Sequence, residues 1–184
     1  MEDRELIRRI QNGQTEYLNT IVQRYYDDIY YFCCYQTGNR EDSYDLAQDT
    51  FLRFIRYIDR YQYRNLKGYL LTIAMNLCRE YLRQSAALSE REIAPDQTKS
   101  AAKTAMASLK ADRVDALENA IMLSEALMQL PEIQREAVLL HHFYGYKNRE
   151  IARMTGASYS AVKSRIRQGL EKLSRLLTRS DFKV

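Results

Sequence analysis

The chain has 184 residues, enough for one medium domain or two small ones, and 46% of them are hydrophobic, which excludes a disordered chain. Only 6 Gly, 2 Pro and no Trp occur beside 15 Tyr, and Leu, Ala, Arg, Glu and Gln are frequent, so the composition points to an all-α protein. The net charge of +4 is modest, and the three cysteines, Cys33, Cys34 and Cys78, are odd in number and form no CxxC. That pattern argues against a disulfide framework or a zinc site and for reduced thiols in a cytosol.

The opening MEDRELIRRI is charged, unlike a signal peptide. No apolar run approaches the roughly 20 residues of a membrane span, so a cytoplasmic protein without direct membrane insertion is expected. Charge is unevenly placed. Residues 1–52 carry 5 basic and 10 acidic groups; residues 53–83 and residues 155–184 each carry 7 basic and 2 acidic groups. Two basic stretches suggest a polyanion touched at two places, although charge alone fits two solvated helix faces equally well.

In chain order, residues 15–37 place Tyr17, Leu18, Ile21, Val22, Tyr25, Ile29, Phe32 and Cys33 at helical spacing, with Gly38 and Asn39 as a stop. A second helix is expected from Arg40 to about Tyr61. Its acids Glu41, Asp42, Asp45 and Asp49 suit a positive helix N-terminus. Its inward stripe is Leu46, Ala47, Phe51, Phe54, Ile55 and Ile58, and its later exposed face, with Arg53, Arg56 and Arg60, is basic. After the loop YQYRNLKG a third helix is expected from about Leu66 to Gln84, with Tyr69, Leu70, Ile73, Ala74, Leu77 and Tyr81 inward. Residues 85–112 are small, polar and aperiodic around Pro95 and are expected to form a flexible linker, spanning roughly 25 to 30 Å r.m.s. if free.

The expected organisation is therefore two helical domains, 1–84 and 113–184. The second should hold four helices: Val114–Leu130, Glu132–Phe143 following Pro131, a short Asn148–Met154 ending at Gly156, and a long helix capped by Ser158. A short helix, a tight turn with glycine and a longer basic helix form a helix-turn-helix. On the last helix Val162, Ile166, Leu170, Leu173 and Leu177 make the expected core stripe. Lys163, Ser164, Arg167 and Gln168 fall on a neighbouring face as hydrogen-bond donors suited to base edges in a major groove. Arg165 lies to one side, for a phosphate or an internal ion pair, and Lys172 is placed to track the DNA backbone.

From these residues a resemblance follows. LPEIQREAVLLHHFYGYKNREIARMTGASYSAVKSRIRQGLEKL resembles region 4 of bacterial sigma-70 family factors, and DLAQDTFLRFIRYIDRYQYRNLKGYLLTIAMNLCREYL resembles their region 2. Their order and separation, with no third domain between them, are similar to the extracytoplasmic-function (ECF) group. The resemblance implies partners: core RNA polymerase, through its beta-prime and beta subunits, promoter DNA, and an anti-sigma factor. It implies polymerase binding by Asp45, Gln48, Asp49 and Leu52. It implies −10 element binding by the loop from Tyr61 to Leu66, including Tyr61 and Tyr63, and by Asn76, with Arg56, Arg60, Arg64, Lys67, Arg79 and Arg83 on phosphates. It implies −35 reading by Lys163, Ser164, Arg167 and Gln168; from their places on the helix Ser158, Arg165 and Lys172 are expected to join them in binding that DNA.

The chain departs from the family pattern at four positions. Tyr69 stands where Trp is usual, Thr72 where Arg is frequent, Ala161 where Thr is usual, and Gly169 sits inside a helix at an expected cost of about 1 kcal/mol against Ala. The alternative reading is a helix-turn-helix regulator whose first half is a sensor or dimerisation domain. Enzymatic chemistry has little support: His141 and His142 are adjacent on a helix and diverge, and neither a cofactor nor a metal is expected.

Overall fold

The computed structural model describes residues 1–62, 64–89 and 114–177. All the regular elements among them are helical. They are α1 (Asp3–Gln11), α2 (Tyr17–Thr37), α3 (Arg40–Tyr57), a 3-10 turn (Ile58–Arg60), α4 (Leu66–Ser89), α5 (Val114–Met128), α6 (Glu132–Val138), a π turn (Leu139–Phe143), α7 (Asn148–Thr155) and α8 (Tyr159–Leu176). The chain divides into two compact units, one of Met1–Cys33 with Glu41–Glu92, the other of Cys34–Arg40 with Ile93–Val184.

The first unit contains a helix that the sequence reading did not assign. α1 forms because Asp3 and Glu5 lie in its first turn and Arg8 and Arg9 in its last, matching the helix dipole at both ends. Its apolar residues Leu6, Ile7 and Ile10 fall on one side and are buried. Asp3 accepts from Arg24 at 2.5 Å and from the Tyr25 hydroxyl, while Arg9 donates to the Tyr17 hydroxyl at 2.6 Å. Both ends of α1 are thereby tied to α2.

The core of this unit is completed by Ile21, Ile29, Phe32 and Cys33 of α2, by Leu46, Ala47, Phe51 and Phe54 of α3, and by Leu70, Leu71, Ala74, Met75 and Cys78 of α4. Ile55, expected inward, is instead 36% exposed. It lies one position beyond Phe54, past the edge of the buried stripe. The last turn of the expected second helix tightens into the 3-10 turn, and Tyr61 leaves it in an extended conformation. α4 then starts at an asparagine cap, with Asn65 Oδ1 accepting from the Gly68 N–H at 2.9 Å. It continues to Ser89 rather than stopping at Gln84, so the first residues of the expected linker are helical. The rest of that linker, residues 90–112, lies outside the described residues.

In the second unit the expected helix over Glu132–Phe143 is split. α6 ends at Val138 and the chain widens into a π turn, with the Tyr144 N–H bonded to Leu139 O at 3.2 Å and the Tyr146 N–H to Leu140 O at 2.9 Å. Leu139 and Leu140 are both fully buried. All three cysteines are buried and unbridged, as their apolar positions suggest.

α6 packs along α8, and the contact depends on Gly169. A Cβ added there would lie 2.7 Å from Val138 Cγ2 and 3.5 Å from Gln134 O. Val138 is buried and β-branched, so its methyl has little freedom to retreat. The glycine is the point at which two helices touch. Helix propensity alone would credit Gly169→Ala with about 1 kcal/mol. Overpacking by one methyl costs about 1 to 3 kcal/mol. The expected outcome is a net loss of about 1 kcal/mol in thermal unfolding, with Val138→Ala costing less in the Gly169→Ala background than in the wild-type chain.

α4 is fastened to the start of α3 by Tyr81, whose hydroxyl donates to Asp42 Oδ2 at 2.5 Å. Burial, then the adjacent carboxylate, pushes the phenol up to about 12 from its usual value near 10. A folded-state pKa above the unfolded one gives a contribution that is complete below about pH 10 and is lost as pH rises through about 12. The stability advantage of the wild-type chain over Tyr81→Phe is expected to hold constant to about pH 10 and then shrink, as followed by denaturant unfolding at stepped pH.

Candidate nucleic-acid interface

The helix-turn-helix of the second unit is built from local signals. Glu150 accepts from the Lys147 backbone N–H at 2.8 Å and closes the start of α7. Gly156 ends α7 in the left-handed conformation, at φ 67°, where a side chain would be strained. Ser158 caps α8 by accepting from the Ala161 N–H at 3.2 Å. Ser158 is thus first a structural cap, and its hydroxyl also pairs with that of Ser160 at 3.1 Å.

The rotation of α8 is set by its buried residues, Val162, Ile166, Gly169 and Leu173. Leu170, expected in that stripe, is 38% exposed, and Leu177 lies beyond the helix end. Gly169 takes the place expected for Leu170 because the close contact with α6 occurs there. With this rotation Lys163, Arg167 and Gln168 are exposed, while Ser164, Arg165 and Lys172 are half-buried.

These side chains do not all stand in water. Gln134 Nε2 of α6 donates to Gln168 Oε1 at 2.9 Å, and Gln168 Nε2 donates to Ser164 Oγ at 3.0 Å. This ladder fixes which end of the Gln168 amide faces which way. Arg167 pairs with Glu171 at 2.9 Å with its side chain still 64% exposed, a contact that water and salt weaken. The Lys172 ammonium donates to Gln129 O at 2.6 Å, just beyond the end of α5, where it satisfies a terminal carbonyl. Gln134 escaped the sequence reading because only tertiary packing brings it to α8.

In the first unit, Tyr61 leads the loop to α4. Its ring lies 4.7 Å from that of Tyr69, and each ring lies 6.3 Å from the buried Phe54 ring. Tyr69, standing where the family pattern has Trp, is therefore part of an aromatic wall with Tyr61. Tyr63 lies outside the described residues. Arg56, Arg60, Arg64, Asn76 and Arg83 are exposed, and Arg79 is half-buried. Lys67 is held by Asp28 at 2.8 Å, so part of its charge is already balanced.

On α3, burial of Leu46, Ala47, Thr50, Phe51 and Phe54 turns Asp45, Gln48, Asp49 and Leu52 outward together. Leu52 is 60% exposed and Tyr44 51%, so this acidic face also carries apolar side chains. No described helix is long and apolar enough to cross a membrane, and among the described residues no cluster of His, Cys, Asp and Glu could hold a metal ion.

Residues 21–87 match the family model for Sigma-70 region 2, and residues 120–173 match that for Sigma-70, region 4. The chain is 29% identical over 175 residues to the ECF RNA polymerase sigma factor BldN of Streptomyces coelicolor, covering 94% of this chain and 65% of BldN. It thus spans about two thirds of the length of BldN. It is 31% identical over 143 residues to the ECF RNA polymerase sigma factor EcfG of Rhodopseudomonas palustris, covering 77% of this chain and 74% of EcfG. In fold it is similar to the sigma factor RpoE of Bartonella quintana, solved in complex with the anti-sigma factor NepR. There the TM-score is 0.66 at 21% identity, with 86% of this chain and 94% of RpoE covered. A region 2 match over the first half weighs against a sensor or dimerisation domain there. The chain belongs to the extracytoplasmic-function group of sigma-70 factors, which direct bacterial RNA polymerase to its promoters.

Proposed function

We propose a division of labour in which residues 1–84 engage core polymerase and the −10 element, residues 113–184 read the −35 element, and residues 85–112 join them. In this reading Asp45, Gln48, Asp49 and Leu52 bind the polymerase, a role supported by their shared outward face on α3 and by exposed Leu52 among acids. Tyr61, Tyr63 and Asn76 receive an unstacked base of the −10 element. The Tyr61–Tyr69 wall supplies the stacking surface that such a base needs. Arg56, Arg60, Arg64, Lys67, Arg79 and Arg83 hold phosphates.

On α8, Lys163, Ser164, Arg167 and Gln168 face bases of the −35 element, with Ser158, Arg165 and Lys172 at the flanks. The observation that carries this assignment is the burial of Val162, Ile166, Gly169 and Leu173, which leaves Lys163, Arg167 and Gln168 on the open side of a capped helix. RNA synthesis itself stays with the polymerase, and the chain acts in the cytoplasm beside it. The complex of RpoE with NepR supports an anti-sigma protein as the inhibitory partner here as well.

Run-off transcription by core polymerase on a promoter library, with and without this chain, tests the proposal. The expected result is start-site selectivity that appears only with the chain; none at all would refute it. Arg167→Ala is expected to lose about 1 to 3 kcal/mol of discrimination at one or two −35 positions. An equal loss on every sequence would make Arg167 a phosphate contact instead. Because Glu171 competes for the same guanidinium, Glu171→Gln is expected to raise transcription from −35-dependent promoters by up to about fivefold, the worth of an exposed ion pair.

A further inference from the structure

The loop assigned to the −10 element hangs from the 3-10 turn Ile58–Arg60, and that turn is held by a residue from α1. Gln11, the last residue of α1, donates through Nε2 to Ile58 O at 2.7 Å and to Tyr61 O at 2.9 Å. An amide nitrogen carries two hydrogens, and these two bonds use both. Only the amino end of the side chain can face two carbonyls, so the partners themselves fix its orientation.

The two carbonyls mark the two ends of the turn. Ile58 begins it, and Tyr61, whose own N–H returns to Ile58 O at 3.0 Å, is where the backbone becomes extended, at φ −71° and ψ 121°. A group that grips both carbonyls fixes the direction in which the chain leaves the turn. That direction also sets where the Tyr61 ring stands against Tyr69. The grip comes from a firm base: Leu6, Ile7 and Ile10 are buried, Asp3 is bonded to Arg24 and Tyr25, and Arg9 is bonded to Tyr17.

We propose that Gln11 is a positioning residue for −10 recognition, holding the 3-10 turn so that Tyr61 presents one fixed surface to the captured base. The inference rests on the assignment of that loop to the −10 element. Gln11 acts through the turn and makes no contact with DNA. A base pocket misplaced by a fraction of an ångström still accepts a base but distinguishes bases less well.

The test uses the full chain with core polymerase and two promoter panels, one substituted singly through the −10 element and one through the −35 element. Gln11→Met keeps the length of the side chain and loses both donors, and because Gln11 is exposed the fold tolerates the change. Gln11→Lys returns donors to the same place. For Gln11→Met, preference among −10 sequences is expected to fall about tenfold, in line with the loss of two hydrogen bonds. Preference among −35 sequences and affinity for core polymerase should stay at wild-type values, the unfolding temperature should fall by no more than a few degrees, and Gln11→Lys should recover most of the −10 preference. An unchanged −10 preference in Gln11→Met overturns the inference, as does a fall in −10 and −35 preference together. If the wild-type chain itself shows no selectivity on either panel, the sigma-factor assignment of the loop fails first and this inference falls with it.

Discussion

The rotation of α8 about its own axis governs what the second unit can do. The 18 residues of α8 carry polar side chains over most of the circumference, and several of its faces could meet a groove. Burial of Val162, Ile166, Gly169 and Leu173 removes that freedom. The choice is sharpened at Gly169, where α6 approaches so closely that no side chain fits. Turning α8 by one residue, about 100°, would drive Leu170 into Val138 and bury the Lys163 ammonium and the Arg167 guanidinium without partners. The outward face, with Lys163, Arg167 and Gln168, is therefore fixed by packing on the opposite side, and base readout by a helix requires just such a fixed face.

The same logic positions the outward acidic face of α3 in the first unit. Leu46, Ala47, Thr50, Phe51 and Phe54 are buried, and Asp45, Gln48, Asp49 and Leu52 point outward as a consequence. Thr50 keeps its hydroxyl satisfied inside the core by donating to Leu46 O at 2.8 Å, so a polar residue in the stripe does not disturb the rotation. Tyr81 and Asp42 then fix α4 against the start of α3, and Asn65 fixes where α4 begins. Between those points the chain makes the turn that carries Tyr61.

Much of this was legible in the sequence, because helical periodicity and punctuation are local signals. Pro131, Gly156 and Ser158 mark real boundaries, and the helix-turn-helix stands where they place it. The misreadings have physical causes. Ile55 and Leu170 lie at the edges of their stripes, where the partner helix decides inside from outside. α1 was hidden by its charges, although Leu6, Ile7 and Ile10 carry a readable i, i+1, i+4 signal and acids precede bases as the dipole favours. The 3-10 and π turns arise from tertiary demands on residues whose sequence continues a helix, and no local rule separates them from an ordinary α-helical turn.

The sites reveal a further difference between what a sequence states and what a fold adds. Lys163, Arg167 and the arginines of the first unit are visible as charges, and charges supply attraction to DNA that is long-ranged, sequence-blind and weakened by salt. The amides are not visible as a group. Gln134 supports Gln168 and Ser164, and Gln11 supports Ile58 and Tyr61, through contacts 34 to 50 residues apart in the chain. Such neutral hydrogen bonds add little attraction for DNA, and salt barely alters them, but they fix the orientation of the side chain or turn that they hold. Charge and positioning thus come from different residue types on this fold, and the second type emerges only once the helices are packed.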